Sequence, residues 1–330
     1  MSHRARRPWL IALSVIGVFV LVLVGGSAVF LASLARQFDQ GTEKIVDAFP
    51  DDRVRVPEAT GAAASAQNIL LLGTDSRSKL ENIEDADGNR SDTMMVVHIP
   101  ADRSGVTVMS IMRDSWVEIP GHGPAKVNAA LSLGGVPLAV QTVESIIGAR
   151  IDHVAIVDFE GFMGLTEALG GVTVDNPIGF ESSHLNGTTF PQGPINLDGK
   201  QALAFTRERY AFADGDYQRV RNQQAFISAV LDKLLSADTA LNPARVSEVI
   251  GAVAPYLKVD AELTSGYAGG LAVEMRNIRK ADVDFFTIPT LGTGTSDDGQ
   301  SIVLLDEARL VQLREAFAND SLDPAAFAPQ

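Results

Sequence analysis

The chain has 330 residues, with 27 Lys plus Arg against 41 Asp plus Glu, a formal charge of −14, no Cys and 46% hydrophobic residues. The missing Cys excludes disulfide frameworks, Cys-containing zinc ribbons, iron–sulfur clusters and thiol nucleophiles. The acidic balance argues against a surface that attracts nucleic acid as a whole, and a charged fraction of 21% with ample aliphatic residues fits a folded globular chain.

In chain order, Arg4, Arg6 and Arg7 come first, and Trp9 to Ala35 follows without a charged residue. That run is long enough to cross a hydrocarbon core of about 30 Å. Residues 1–8 are therefore read as a cytoplasmic tail and 9–35 as one transmembrane helix. A cleaved signal peptide is the competing reading, but its apolar region is normally about 7–15 residues. Only Arg36 follows closely, so the positive-inside bias leaves the remaining chain extracytoplasmic. Taking the tail's three arginines from 27 basic residues leaves 24 against 41 acidic ones, so the exterior carries −17.

Residues 36–67 hold scattered charges, Pro50, Pro57 and the small-residue stretch Gly61 to Ala66, which reads as a stalk with a short helix ending in a flexible linker. A body at 68–320 and a tail at 321–330 follow. The body opens with the apolar run Asn68 to Gly73, of the kind found in a strand covered on both faces. Thr93 to Ile99 and Val106 to Ile111, separated by a turn-rich hexad, predict an antiparallel hairpin. Next come a helical pattern over Leu138 to Ile147, a strand Val154 to Val157, and a helix from Phe159 to Leu169 closed by Gly170-Gly171. Val283 to Ile288 and Ile302 to Leu305 read as strands before a helix from about Asp306 to Phe317. The mixture predicts an α/β fold: a layered α-β-α domain with a central mixed sheet.

Familiar motifs fail on inspection. Gly193 to Gln201 ends in Gly199-Lys200 like a phosphate-binding loop, but its spacing is one residue too long and Gln201 replaces the Ser or Thr that holds Mg²⁺. No Gly-x-Ser-x-Gly elbow exists, and the five His lack metal-ligand spacing.

One constellation survives. The first strand ends in Gly73-Thr74-Asp75-Ser76-Arg77, at the sheet end where open α/β sheets bind ligands. Arg90-Ser91-Asp92 precedes the second strand and Arg113-Asp114 follows the third, so antiparallel pairing brings Arg90, Asp92 and Arg113 together. In Ala204 to Arg209, an extended backbone would project Arg207 and Arg209 from one face and Glu208 from the other. A helix from about Arg219 to Leu235 sets Arg219 and Gln223 four apart near its start, where basic side chains oppose the helix dipole unless an anion sits there. Guanidinium groups bind phosphate oxygens bidentately, and Mg²⁺ takes one or two carboxylates with phosphate and water. A diphosphate-bearing substrate would use all of these groups, with Asp75 and Asp92 as candidate metal ligands.

Together with Ile119 to Asn128, Ile151 to Val154, Val157 to Phe162, Ala168 to Val172 and Asp216 to Gln224, these strings resemble the LytR-CpsA-Psr family over about residues 68–235. Three positions depart from the family pattern: Met112 for Pro, Gln218 for Gly and Asn222 for Arg. The resemblance implies a Mg²⁺-dependent (or Mn²⁺-dependent) phosphotransferase with an accompanying diphosphatase activity. It would move a cell-wall glycopolymer of teichoic acid, arabinogalactan or capsule type from a polyprenyl diphosphate carrier onto peptidoglycan. It implies diphosphate binding by Arg77, Arg90, Arg113, Lys126, Arg207, Arg209, Arg219 and Gln223, a metal at Asp75 and Asp92, and catalysis by Asp75, Asp92 and Arg113. The partners expected are the lipid-linked polymer, peptidoglycan and the cell membrane, without nucleic acid. A non-catalytic exported binder of lipid-linked polymer is the alternative. Leu138 to Ile147 and the strand from Val154 are read as ordinary core rather than lipid-tunnel wall.

Overall fold

The computed structural model describes residues 29–74, 91–240 and 242–328. Asp75, Arg77, Arg90 and the greater part of the expected membrane span lie outside the described residues. Helix α1 occupies 29–41, and β1, Glu43–Ile45, follows it.

Seven strands form one mixed sheet in the order β1-β12-β7-β2-β3-β4-β13. They are β1, β2 (Gln67–Thr74), β3 (Ser91–Ile99), β4 (Val106–Ile111), β7 (His153–Asp158), β12 (Leu257–Asp260) and β13 (Val283–Thr287). β2 runs parallel to β7 and antiparallel to β3, β3 is antiparallel to β4, and β4 is parallel to β13. The expected hairpin is therefore present. Two further hairpins flank the sheet, β5 (Trp116–Ile119) with β6 (Gly123–Lys126), and β14 (Thr290–Thr295) with β15 (Ser301–Leu305).

The two faces of the sheet are covered differently. Leu70, Leu72, Val96, Met109 and Ile156 pack into one buried cluster with α2 (Ala129–Ile147) and α9 (Glu307–Ala318). By length and composition α2 passes for a membrane-crossing helix, yet it is 56% buried and broken at Gly134 and Gly135. Its last turns and Val154 belong to this core, as expected.

Over the other face lie α3 (Phe159–Ala168), α4 (Gly199–Arg207) and α5 (Asp216–Leu235), with the hairpin of β8 (Val172–Asn176) and β11 (Gly193–Leu197) beyond. These form a second buried cluster, around Phe180, Phe190, Phe205 and Phe226, that contains no residue of the large sheet. The Gly170-Gly171 stop of α3 works as expected: both have positive φ, and a Cβ on Gly171 would meet the Asn196 side chain at 2.9 Å. Gln201, which spoiled the phosphate loop, closes a capping box with Asp198 at the start of α4.

Residues 36–67 depart from the stalk-and-flexible-linker expectation. β1 adds a parallel edge to β12, Gly61–Ser65 forms a 3-10 turn, and Arg55 reaches a buried Glu144 on α2 at 2.5 Å. A three-residue strand and a lone arginine carry no periodicity, so the sequence pattern gives no sign of either.

Candidate functional site

Cross-strand register builds the centre of the site. Met94 pairs with Ile111, and continuing that antiparallel register by two residues sets Asp92 opposite Arg113. Their side chains meet, Arg113 Nη1 to Asp92 Oδ1 at 2.6 Å. The pair stands where β2, β4 and β7 end, the expected position for an open α/β sheet.

Arg113 is the hub. Its Nε lies 3.7 Å from Asp114 and 3.6 Å from Asp216, the first residue of α5. Asp216 also holds Arg219 at 3.2 Å and faces Arg209 at 3.8 Å. Lys126 at the end of β6 binds Asp114 at 3.0 Å. Two expectations change here. Arg207 is the last residue of helix α4 rather than part of an extended strand, because the apolar Ala202, Ala204 and Phe205 continue helical packing up to it. It stacks over the Phe159 ring at 4.5 Å from the centroid. Glu208 does not project from the opposite face of a strand: fully buried, it accepts hydrogen bonds from Ser183 and from the backbone of Arg209, Tyr210 and Ala211. Burial alone would raise its carboxyl, but these bonds outweigh it and hold it below the ordinary carboxylate value. The turn that aims Arg209 is thereby fixed.

The dipole conflict at the start of α5 is answered within the chain. Asp216 at the first position complements the helix N-terminus and pairs with Arg219, and Asp214 binds Arg221. Asp114 and Asp216, to which no role was assigned from sequence, are thus part of the cluster. The available signal was the i,i+3 spacing of Asp216 and Arg219.

Arg219 is only 4% exposed, and burial pulls its guanidinium below the ordinary value, with Asp216 opposing and the Arg113 charge adding to the pull. Its Nε and that of Arg113 are buried and have no hydrogen-bond partner among the described residues. Donors left without acceptors in a buried arginine cluster are what an anionic ligand would satisfy. Gln223, also buried, donates to Thr206 O at 3.3 Å. The departures from the family pattern are accommodated locally. Gln218 donates to Asn222 at 2.9 Å and Asn222 donates to Phe205 O, while Met112 packs against Val220 and Val303.

Between the second face of the sheet and the helices lies an apolar cavity of about 370 Å³. Leu71, Met95, Ala155 and Val157 form its floor, and Phe162, Leu165, Phe226, Ile227 and Val230 its roof. Leu71 of the first strand therefore faces this cavity, where the sequence pattern predicts packed cover. At the mouth stand Asp92, Arg113, Arg207, Arg209, Arg219 and Gln223. A polar groove of about 1100 Å³ begins on the far side of Arg113 and Arg209, bordered by Asp114, Lys126, Asp216, Tyr217 and the β14–β15 hairpin. The structure thus brings together every described residue expected at the site.

Among the described residues no three His, Cys, Asp or Glu side chains group as a metal site. The donor chemistry still suits Mg²⁺: Asp92 is an oxygen donor beside the arginines, and Thr74, whose hydroxyl has no hydrogen-bond partner among the described residues, pairs in register with Ser91. Mg²⁺ needs only one or two carboxylates when a phosphate completes its shell.

Comparison with known proteins gives concordant results. LcpA, a cell wall biosynthesis protein of Corynebacterium glutamicum, is 30% identical over 82% of this chain, which spans 58% of that longer protein. TagU of Enterococcus faecalis, named a polyisoprenyl-teichoic acid–peptidoglycan teichoic acid transferase, is 29% identical over 96% of this chain and 98% of its own length. The crystal structure of Bacillus subtilis TagV shares the fold, with a TM-score of 0.66, 24% identity, and coverage of 78% of this chain and 97% of TagV. The LytR_cpsA_psr family model matches residues 33–319, and the chain belongs to that family.

Proposed function

We propose that the protein is a membrane-anchored phosphotransferase that moves a cell-wall glycopolymer from a polyprenyl diphosphate carrier to a peptidoglycan hydroxyl. The observation that carries this reading is the succession of surfaces: an apolar cavity, a ledge of Arg113, Arg209 and Arg219 at its mouth, and a polar groove that shares Arg113 and Arg209 with it. A polyprenyl diphosphate-linked glycan has the same order of parts. The isoprenoid removes the cavity walls from water, the diphosphate satisfies the buried guanidinium donors, and the glycan occupies the groove.

Residues 9–35 would anchor the chain, with the catalytic body outside the cytoplasm. Arg113, Arg209 and Arg219, assisted by Arg207, Lys126 and Gln223, hold the diphosphate and stabilise the charge that develops as the bridging P–O bond breaks. Arg77 and Arg90 would add to this set. Asp92 with Asp75 would hold Mg²⁺, which when bound supplies further neutralisation of the diphosphate charge. The acceptor hydroxyl attacks the phosphorus that carries the glycan, and polyprenyl phosphate leaves into the cavity end of the site.

The test is transfer of labelled glycan from a polyprenyl diphosphate disaccharide to uncrosslinked peptidoglycan by the full chain in detergent. Arg113→Ala and Arg219→Ala are each expected to lower the rate by about 10²–10³-fold, the range for removing a preorganised charge-stabilising group. Wild-type rates in both variants would contradict the reading.

A further inference from the structure

The transferase reading leaves open which group takes the proton of the attacking hydroxyl, and this inference rests on that reading. Among the described residues three carboxylates contact Arg113, and they face different spaces. Asp92 borders the apolar cavity, whereas Asp114 and Asp216 border only the polar groove. A wall-sugar hydroxyl arrives through the groove, because the cavity side is apolar and suited to the lipid. Asp92 is also held at 2.6 Å by Arg113 and turned toward the lipid side.

Asp114 and Asp216 both lie against the Arg113 Nε, at 3.7 and 3.6 Å, and border the same groove. Two carboxyl groups gathered at one guanidinium titrate as a pair. Asp216 faces Arg219 from its own helix, Arg113 from the end of β4 and Arg209 from the turn after α4. Asp114 faces Lys126 and Arg113. Nearby, Asp214 and Arg221 neutralise each other. Burial pushes Asp216 up, and Asp114 adds to this against the pull of Arg219 and Arg113. For Asp114, burial is outweighed by the nearness of Asp216 and Lys126 and by the Arg113 charge, which hold it below the ordinary value. Asp114 is therefore the more readily ionised carboxyl of the two and Asp216 the more readily protonated. Independently, among the described residues neither the guanidinium Nε of Arg219, a side chain 4% exposed and pressed against Asp216, nor Oδ1 of Asp216 has a hydrogen-bond partner. The polar cluster is incomplete on its own and fits a ligand between the arginines and the carboxyl pair.

The geometry points to the Asp114–Asp216 pair as the proton acceptor for the incoming hydroxyl. In this step the O–H bond breaks and its proton passes to the Asp114 carboxylate as the oxygen forms a bond to the glycan-bearing phosphorus. The bridging P–O bond breaks, and its electron pair leaves with polyprenyl phosphate on the arginine ledge. The carboxyl pair then returns this proton to water through the groove.

The experiment uses the full chain in detergent, a saturating polyprenyl diphosphate disaccharide, and two small acceptors, ethanol and the more acidic trifluoroethanol. Asp114→Asn and Asp216→Asn are each expected to lower transfer to ethanol by about 10²–10⁴-fold, the usual contribution of a positioned base. Transfer to trifluoroethanol falls far less, because that hydroxyl needs less help to lose its proton. Donor affinity, measured by titration with the same disaccharide, stays within about threefold, which also reports that the variants are folded. Asp114→Glu recovers part of the ethanol rate. Equal losses with both alcohols, or a loss confined to donor KM, would overturn the assignment and leave the pair a positioning role. A wild-type chain that neither binds the donor nor transfers its glycan overturns the transferase reading itself.

Discussion

The two faces of the central sheet are made by the same strands from the same kinds of residue, yet one is solid and the other is hollow. Leu72 is buried against α2 and α9, while its neighbour Leu71 points the opposite way into the cavity. The difference arises from what covers each face. On one side helices pack directly on the sheet, whereas on the other α3, α4 and α5 pack mainly on each other and on the β8–β11 hairpin, forming a core of their own. A second core that needs nothing from the sheet can stand away from it, and the gap remains as a binding cavity with apolar walls.

Substitutions on the two faces sharpen or break this contrast. The largest stability loss is expected from Arg55→Ala, which strands the Glu144 carboxylate, 1% exposed, beneath the packed face. Removing one partner of a buried ion pair costs about 3–5 kcal/mol, and denaturant unfolding measures it. A loss below about 1 kcal/mol would mean that the segment before β2 is held only weakly. Next, Leu72→Ala is expected to cost about 2–5 kcal/mol as a core truncation, and the folded fraction keeps its affinity for polyprenyl diphosphate. Leu71→Ala, one residue away, is expected to cost less than about 1.5 kcal/mol, because its side chain already borders empty space, while Ala155→Leu fills the cavity floor and weakens lipid binding by about tenfold or more. Equal stability losses at Leu71 and Leu72 would break the comparison.

The smallest effect concerns His98, buried at the edge of the packed face between Asn68 and Asp320. Burial holds its imidazole below the ordinary 6.5, against the upward pull of Asp320. A lowered folded value means that stability is complete above 6.5 and is lost as the pH falls from there toward the folded value. The melting temperature should fall by a few degrees at most across that window, and His98→Gln should remove this part of the dependence.

Much of the frame was legible because it is written in local patterns. The turn-rich hexad Pro100 to Gly105 specified the β3–β4 hairpin, and antiparallel pairing then required Asp92 and Arg113 to meet. The helices α3 and α9 announced their ends through Gly170-Gly171 and Asp306. The cavity was not legible, since Leu71, Met95 and Val157 are the same residue types as a packed core, and only the placement of the covering helices distinguishes them. Arg207 was misplaced because period-two arginines look alike whether a strand runs through them or a helix stops at the first. Asp216 had a local sign in its i,i+3 spacing to Arg219, but the meeting of Asp114 and Asp216 at Arg113 joins residues far apart in the chain, which no local pattern encodes.

The central claim is that the apolar cavity and the arginine ledge form one site for one molecule. Calorimetric titration of the full chain with geranylgeranyl diphosphate, inorganic diphosphate and geranylgeraniol tests it directly. Joining two binding parts at matched spacing raises affinity by about 10²-fold or more over either part, so the account predicts that margin for geranylgeranyl diphosphate, lost in Arg219→Ala. If geranylgeranyl diphosphate binds no more tightly than inorganic diphosphate, the cavity is not the lipid site and the account is contradicted.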